Sequence, residues 1–393
     1  MNKLFSQISN ILLFFYKALR MIVRRFIAFY QKRGKSSYII VLIAKNVDAN
    51  QQEEILQRLT FFVLNFNQYT LIQREKISLT DILSSDAILI FGSRGWLSKF
   101  YLEMRPGTFD IDFNLNPKDG WAWTGLTEFL SDEIPDLIAS KNLLRKKIKS
   151  LRKKNLPRCY IFGTGPSLEN ADQRSWSDGY KIVCNTIVRD PELWNYLQPD
   201  FIVAGDALYH FGDSKYAKAF RSDLRARLQE TDTFFVYPSQ FHAIVWRELS
   251  EFTNQLVPIS TGWRKRIDID LTKDFSLPNL GNVLGLLLLP LACTLSKEIF
   301  LWGFDGRAPN DKLFWSNSKR HSYPEFIPEL QKEHPKFFSH YVPESDPNKY
   351  VRSVQGDSLD LCLGLAGKKG WKFTMMHKSW TPILQKRYSG EQK

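Results

Sequence analysis

The period of the apolar positions changes along the chain, and each change marks a segment. In residues 1–35 the apolar residues Leu4, Phe5, Ile8, Ile11, Leu12, Phe15, Leu19, Ile22, Phe26 and Phe29 fall on one stripe at about 100° per residue, with Lys17, Arg20 and Arg24 opposite. That pattern predicts an amphipathic helix lying in a membrane interface. Its charge-free run, residues 4–16, is shorter than the roughly 20 apolar residues a span needs. No small-residue cleavage site follows, so it does not read as a signal peptide.

Residues 37–138 read as a small α/β unit. A β-branched strand at 38–44, helical spacing at 51–65 and a buried strand at 87–91 precede a Trp-, Gly-, Asn- and Asp-rich stretch, 94–125, that reads as irregular. Residues 139–157 carry a basic helix with few apolar positions, read as a solvated linker or a second contact with an anionic membrane. From 158 to 393, strands and helices alternate in the manner of a Rossmann-like, mostly parallel, doubly wound α/β sheet. Strands are expected at 159–162, 180–185, 201–206, 234–237 and 298–302, with an apolar helix at 281–296 broken by Pro290.

Charge sharpens this division. The 393 residues carry a net charge of +13, but residues 1–35 hold eight basic residues and no acidic one, and residues 141–158 hold nine and none. Removing those seventeen leaves about −4 for the rest, so the globular body is not a general polyanion binder. Nucleic acid is not favoured, since no aromatic or glycine interleaving accompanies the basic runs. Cys159, Cys184, Cys293 and Cys362 are widely spaced in apolar surroundings, with no CxxC or HExxH spacing. They read as small buried hydrophobes in a reducing, cytoplasmic setting.

The candidate chemistry gathers at strand ends. Gly163, Thr164, Gly165, Pro166 and Ser167 follow a buried strand, and glycine-turn amides backed by a helix N-terminus suit a phosphate or carboxylate. Ser167 or Asn170 is a candidate cap for that helix. Asn185, Asp206 and Asp305 end further strands, where ligands bind in open parallel sheets, although aspartates there also serve as caps. Asp110 and Asp112 have a spacing used to hold divalent ions, yet two aspartates one residue apart on a strand share a face without any metal, and the metal-free reading is preferred. The glycine turn lacks a third glycine and a ribose-binding acid about 20 residues on, which argues against a dinucleotide redox site.

Taken in order, GTGPSL at 163–168, Cys184-Asn185, the long apolar helix, KEIFLWGFD at 297–305 and Ser339-His340-Tyr341 resemble the bacterial lipooligosaccharide sialyltransferases. They also resemble a wider group that includes flagellin-glycosylation accessory proteins and pterin pyrophosphokinase-like proteins. The resemblance covers about residues 158–377. It implies a single Rossmann-type domain holding a CMP-sugar, with His340 as general base and no metal or other cofactor required. Gly163 to Ser167 match the nucleotide-cradling turn, Asn185 an asparagine that contacts the donor, and Asn282 approximates a residue of the motif before the long helix. Gly303, Asp305 and Tyr341 fall within the matched motifs. Where the family places tyrosines on the donor phosphate this chain has Gly306, Arg307, Phe314 and Trp315; Arg307 is suited to a phosphate by bidentate pairing. His321 and His377 gain no role from the motifs.

The expectation is a glycosyltransferase at the inner face of the membrane, held there by residues 1–35. It would move a sugar, sialic acid or a related acidic one, from a nucleotide-activated donor to a cell-surface glycan or glycolipid. Pyrophosphoryl transfer from ATP to a small hydroxyl compound and a non-enzymatic nucleotide-binding membrane protein are the alternatives. The sequence assigns no role to residues 37–138 and no oligomeric state.

Overall fold

A computed structural model describes residues 38–45, 47–93, 102, 105–308, 320–341, 349 and 356–390. The amphipathic stripe of residues 1–35, together with Phe314 and Trp315, lies outside them. The described chain forms two units divided after Asp132.

In the first unit, β1 (Tyr38–Ala44), α1 (Ala49–Phe62), β2 (Tyr69–Arg74), α2 (Leu79–Ser84), β3 (Ala87–Phe91), β4 (Thr108–Asp110) and α3 (Asp119–Leu130) build a parallel sheet in the order β2-β1-β3-β4. Every residue of β3 is buried, as suits an inner strand covered on both faces. Asp48 caps α1 through a capping box with Gln51. Three elements depart from expectation: β2 was not anticipated, and β4 and the start of α3 lie in the stretch read as irregular. Half-buried strands as short as β4 leave little periodicity to detect.

Asp112 spends its carboxylate within this unit. It accepts from the Gly92 amide at 2.9 Å and from Asn114 and Leu115 at 2.8 and 3.2 Å, which makes it a turn former rather than a bare metal ligand. Asp110 is exposed at the end of β4.

The second unit opens with α4 (Leu137–Arg152), capped by Asp136, and continues through β5 (Arg158–Phe162), β6 (Gly179–Cys184), α5 (Pro191–Leu197), β7 (Phe201–Val203), α6 (Lys215–Glu230), β8 (Phe234–Pro238), α7 (His242–Leu249) and β9 (Leu256–Ile259). Then come α8 (Leu289–Leu295), β10 (Glu298–Trp302), α9 (Ile327–Glu333), α10 (Pro335–Tyr341), α11 (Asp357–Lys368), β11 (Lys372–Met375) and α12 (Pro382–Gln385). The strands form a seven-stranded sheet in the order β11-β10-β5-β6-β7-β8-β9, and every pairing is parallel. The chain winds outward from β5 in one direction through β9, then returns to lay β10 and β11 on the other side. This is a Rossmann-like, doubly wound α/β fold, and its topological switch point lies between β5 and β10.

The basic helix is not a solvated linker. α4 belongs to the second unit and buries Leu144, Ile148 and Leu151, spaced four and three apart, in the main core cluster. Its charged ends reach backbone carbonyls: Lys141 to Lys273 at 2.7 Å, Arg145 to Thr272 at 2.6 Å, Lys147 to Asp232 at 2.7 Å and Arg152 to Thr294 at 2.7 Å. Sequence charge alone could not separate these directed contacts from a free cationic face.

Pro290 does not break the apolar helix. A π-helical turn, Leu284–Leu288, runs directly into α8, and the wider turn accommodates a proline that has no amide to donate. The four cysteines are buried and unbridged, and burial pushes the thiols up in pKa.

Replacing Leu144 by Ala is expected to cost about 2–5 kcal/mol in urea unfolding of the second unit, the range for a leucine lost from a packed core. A change below about 0.5 kcal/mol would mean that the helix does not belong to the core.

Candidate functional site

The crevice at the β5–β10 switch point is shaped by two glycine turns pressed together. Gly163 donates to the Trp302 carbonyl at 2.8 Å and Gly165 to the Gly303 carbonyl at 2.8 Å, extending the strand pairing past both strand ends. Gly303 adopts φ +78°, and a Cβ there would stand 2.1 Å from the Gly163 carbonyl oxygen; a Cβ on Gly163 would meet the Gly303 oxygen at 2.5 Å. A Cβ on Gly165 would meet Asp305 Oδ2 at 2.1 Å. Glycine is thus required at 163, 165 and 303 by close approach, and at 303 by backbone angle as well.

The turn differs from the expected cradle. No capped α-helix follows; Pro166–Gln173 is a 3₁₀ helix without a side-chain cap. Asp305 already faces its start, accepting from the Ser167 amide at 3.2 Å and the Ser167 hydroxyl at 2.8 Å. The anion at this turn is the protein's own carboxylate. With Gly163 and Gly165 paired to β10 as well, these amides are not an open phosphate seat. Thr164 lies half-buried between the two glycines.

His377, which follows β11, completes the cluster. Its Nδ1 lies 2.7 Å from the Lys378 carbonyl, which can only accept, so the proton resides on Nδ1. Nε2 then accepts from the Gly303 amide at 3.0 Å and stands 2.9 Å from the Ser167 hydroxyl. The ring packs edge-on to Trp302, whose indole N–H donates to the Ser167 carbonyl at 2.9 Å. The sequence did carry a signal for this residue: a histidine two positions beyond a short apolar run, like the polar residues ending the neighbouring strands.

Asn185 stands at the end of β6, next to β5. It adopts φ +53°, and its side-chain carbonyl oxygen is buried with no hydrogen-bond partner among the described residues. A left-handed asparagine with an orphaned acceptor is a costly arrangement that a ligand donor would relieve. Asp206, after β7, accepts from the amides of Leu208 at 2.9 Å and Tyr209 at 3.0 Å, and its own amide donates to His210 Nδ1 at 3.1 Å. Burial raises its pKa. These bonds make Asp206 the former of its own turn. Asn282 is likewise occupied, accepting from the Gly285 amide at 2.8 Å at the start of the π-helical turn.

Beyond Asp305, Gly306 has φ +72° and packs against Thr381, where a Cβ would meet the amide at 2.5 Å. Arg307 follows, half-buried. His340 and Tyr341 end α10. His340 is exposed with its ring edge-on to Tyr341 at 4.8 Å, and Tyr341 packs on Phe337 at 5.1 Å, burial raising its phenol pKa. Phe337 and Phe338 lie 6.5 Å from the Tyr209 ring, which sets α10 over the loop after β7, two strands from β5. The structure therefore gathers Gly163, Gly165, Ser167, Trp302, Gly303, Asp305 and His377 into one hydrogen-bonded group, with Thr164 and Pro166 carried in the turn between them. Asn185 stands at the adjoining strand end, and His340 at the same sheet edge.

The residues from Arg320 onward strap the β6 loop. Arg320 pairs with Asp190 at 2.7 Å, Arg189 with Glu325 at 2.9 Å, and the Thr186 hydroxyl donates to the His321 carbonyl. Three buried histidines share this edge. Desolvation lowers the pKa of His210 to about 3, and of His242 and His321 to about 4, with the Arg221 charge adding to the effect at His210.

No protein-family model matches the chain, and no curated protein matches it. Among solved structures, an NAD-dependent formate dehydrogenase from Staphylococcus aureus in complex with NAD aligns over 51% of this chain and 80% of its own. It does so at 12% identity and a TM-score of 0.14, a likeness too slight to carry an argument. The fold class rests on the parallel order of the strands. Among the described residues, no helix is long and apolar enough to cross a membrane.

Two outcomes follow from this edge. Gly303→Ala should destabilise the second unit by more than about 2 kcal/mol in chemical denaturation, since strain and a backbone clash coincide. The buried histidines bind protons more weakly folded than unfolded, so their contribution is complete above pH 6.5 and is lost as pH falls toward about 4. Unfolding free energy measured against pH should therefore rise with pH between about 4 and 6.5, and His210→Gln should flatten that slope.

Proposed function

We propose that the chain is a glycosyltransferase that moves a sugar from a nucleotide-activated donor to a glycan or glycolipid hydroxyl, with the nucleotide bound at the β5–β10 crevice. The observation that carries this reading is Asn185: a buried amide oxygen without a donor among the described residues, beside the switch point where ligands bind in doubly wound sheets. An amino or hydroxyl group of a nucleotide supplies the missing donor. The motif order favours a CMP-sugar, with sialic acid or a related acidic sugar as the transferred group.

In this reading Asp305 accepts ligand hydroxyls with lone pairs that Ser167 leaves over, a carboxylate having about four such sites. Arg307 compensates charge on the departing phosphate by paired N–H bonds. His340, exposed on α10, takes the proton of the acceptor hydroxyl, a role suited to a neutral imidazole. Transfer to water or to an acceptor in this way needs no metal step. Residues 1–35, with their aromatic stripe and basic face, would hold the enzyme peripherally on an anionic, cytoplasmic membrane surface where lipid-linked acceptors reside.

A thermal-shift series with CMP-, UDP-, GDP- and ADP-sugars and with ATP plus magnesium tests the donor class. One sugar nucleotide should stabilise the protein by about 2.7 kcal/mol at roughly 100 times its Kd, and Asn185→Ala should remove most of that gain. Stabilisation by ATP alone, with release of AMP, would turn the reading toward pyrophosphoryl transfer. His340→Ala should lower transfer at least ~100-fold with donor binding retained; near-normal turnover would exclude it as the base.

A further inference from the structure

We propose that His377 is a positioning residue that locks the two glycine turns of the crevice into the conformation that receives the nucleotide. The ligand in this inference rests on the function proposed above; the lock itself rests on geometry alone. The imidazole joins three chain segments that meet nowhere else in sequence: the end of β11, the β10 turn at Gly303 and the β5 turn at Ser167. Lys378 fixes the tautomer, leaving Nε2 as the acceptor of the Gly303 amide, 2.9 Å from the Ser167 hydroxyl.

That role differs from catalysis. Nε2 is already filled by the Gly303 amide, so the ring is not a free base for Ser167. It differs from simple packing as well. The Gly303 residue is buried, and without an acceptor its amide would be left unsatisfied. Gly303 cannot shift without moving Gly163, because their backbones are in mutual contact. With the Nε2 lone pair engaged by Gly303, the Ser167 hydroxyl donates its proton to Asp305 Oδ2 at 2.8 Å and stands 2.9 Å from Nε2. His377 thereby sets the shape of the turns and, through its contact with the Ser167 hydroxyl, the direction in which that hydroxyl meets Asp305.

The test compares His377→Ala with His377→Gln in the full chain, the glutamine amide oxygen reaching the place of Nε2. The readouts are the Gly303 amide resonance and the affinity for CMP. In the alanine variant the Gly303 amide should shift as its hydrogen bond is lost, and CMP should bind roughly 10-fold more weakly. In the glutamine variant the amide should return toward its original position and affinity recover to within about threefold. If the alanine variant does not fold, His377→Asn, whose shorter amide falls short of Gly303, replaces it. An unmoved Gly303 amide in the truncated variant, or a glutamine variant as weak as the alanine one while both melt like the parent, overturns the proposal. Should the parent chain itself bind no CMP or other nucleotide, the function proposed above fails. The Gly303 amide then decides the lock alone, upheld by displacement and return and overturned by constancy.

Discussion

The approach of backbone to backbone between Gly163 and Gly303 is the constraint on which the rest of the second unit depends. Parallel strands are bridged by long crossovers, so nothing local aligns β5 with β10, which are separated by more than a hundred residues and several elements. Register is set where the two strands end, by amide–carbonyl bonds that continue the ladder into the turns. Side chains are excluded at the glycines, and the polar groups that close the crevice arrive from two residues further out. Ser167, Asp305 and His377 are in this sense consequences of a space that only glycine backbones can share.

Much of this arrangement was legible in the sequence. Short β-rich runs ending in Gly, Asn or Asp located β5, β6, β7, β8 and β10, because inner parallel strands are apolar on both faces and stop where the chain must turn. The polar residues at those ends stood out as a group. Their partners were not legible. Asp305 facing Ser167 and Asn282 capping its own helix depend on side-chain direction and long-range packing, which periodicity does not encode. Asp206 and Asn185 look alike in sequence, each closing a buried strand, yet one binds its own turn's amides and the other keeps an oxygen with no partner among the described residues. The basic helix shows the same limit: charge was counted correctly, but the carbonyls that receive it lie 85 to 142 residues away.

Occupation of the glycine turn by Asp305 alters what the resemblance to sialyltransferases implies about recognition. A cradle of free amides would favour the phosphate of any nucleotide. A turn whose amides are paired and whose mouth carries a carboxylate favours hydroxyl and amino donors instead; under the proposed function, phosphate recognition would fall further out, at Arg307. Discrimination among nucleotides would then depend on the base and the ribose more than on charge.

The seating of α4 also bears on how the sheet ends. β9 is an edge strand, the position from which sheets recruit foreign strands and polymerise. Pro258 within it has no amide to offer, α4 packs along it, and the Ser140 hydroxyl takes up the Pro258 carbonyl at 2.8 Å. The helix that seemed, from its charge, to be the most detachable part of the chain therefore closes this margin of the sheet against self-association. A chain lacking residues before β5 would expose an aggregation-prone border.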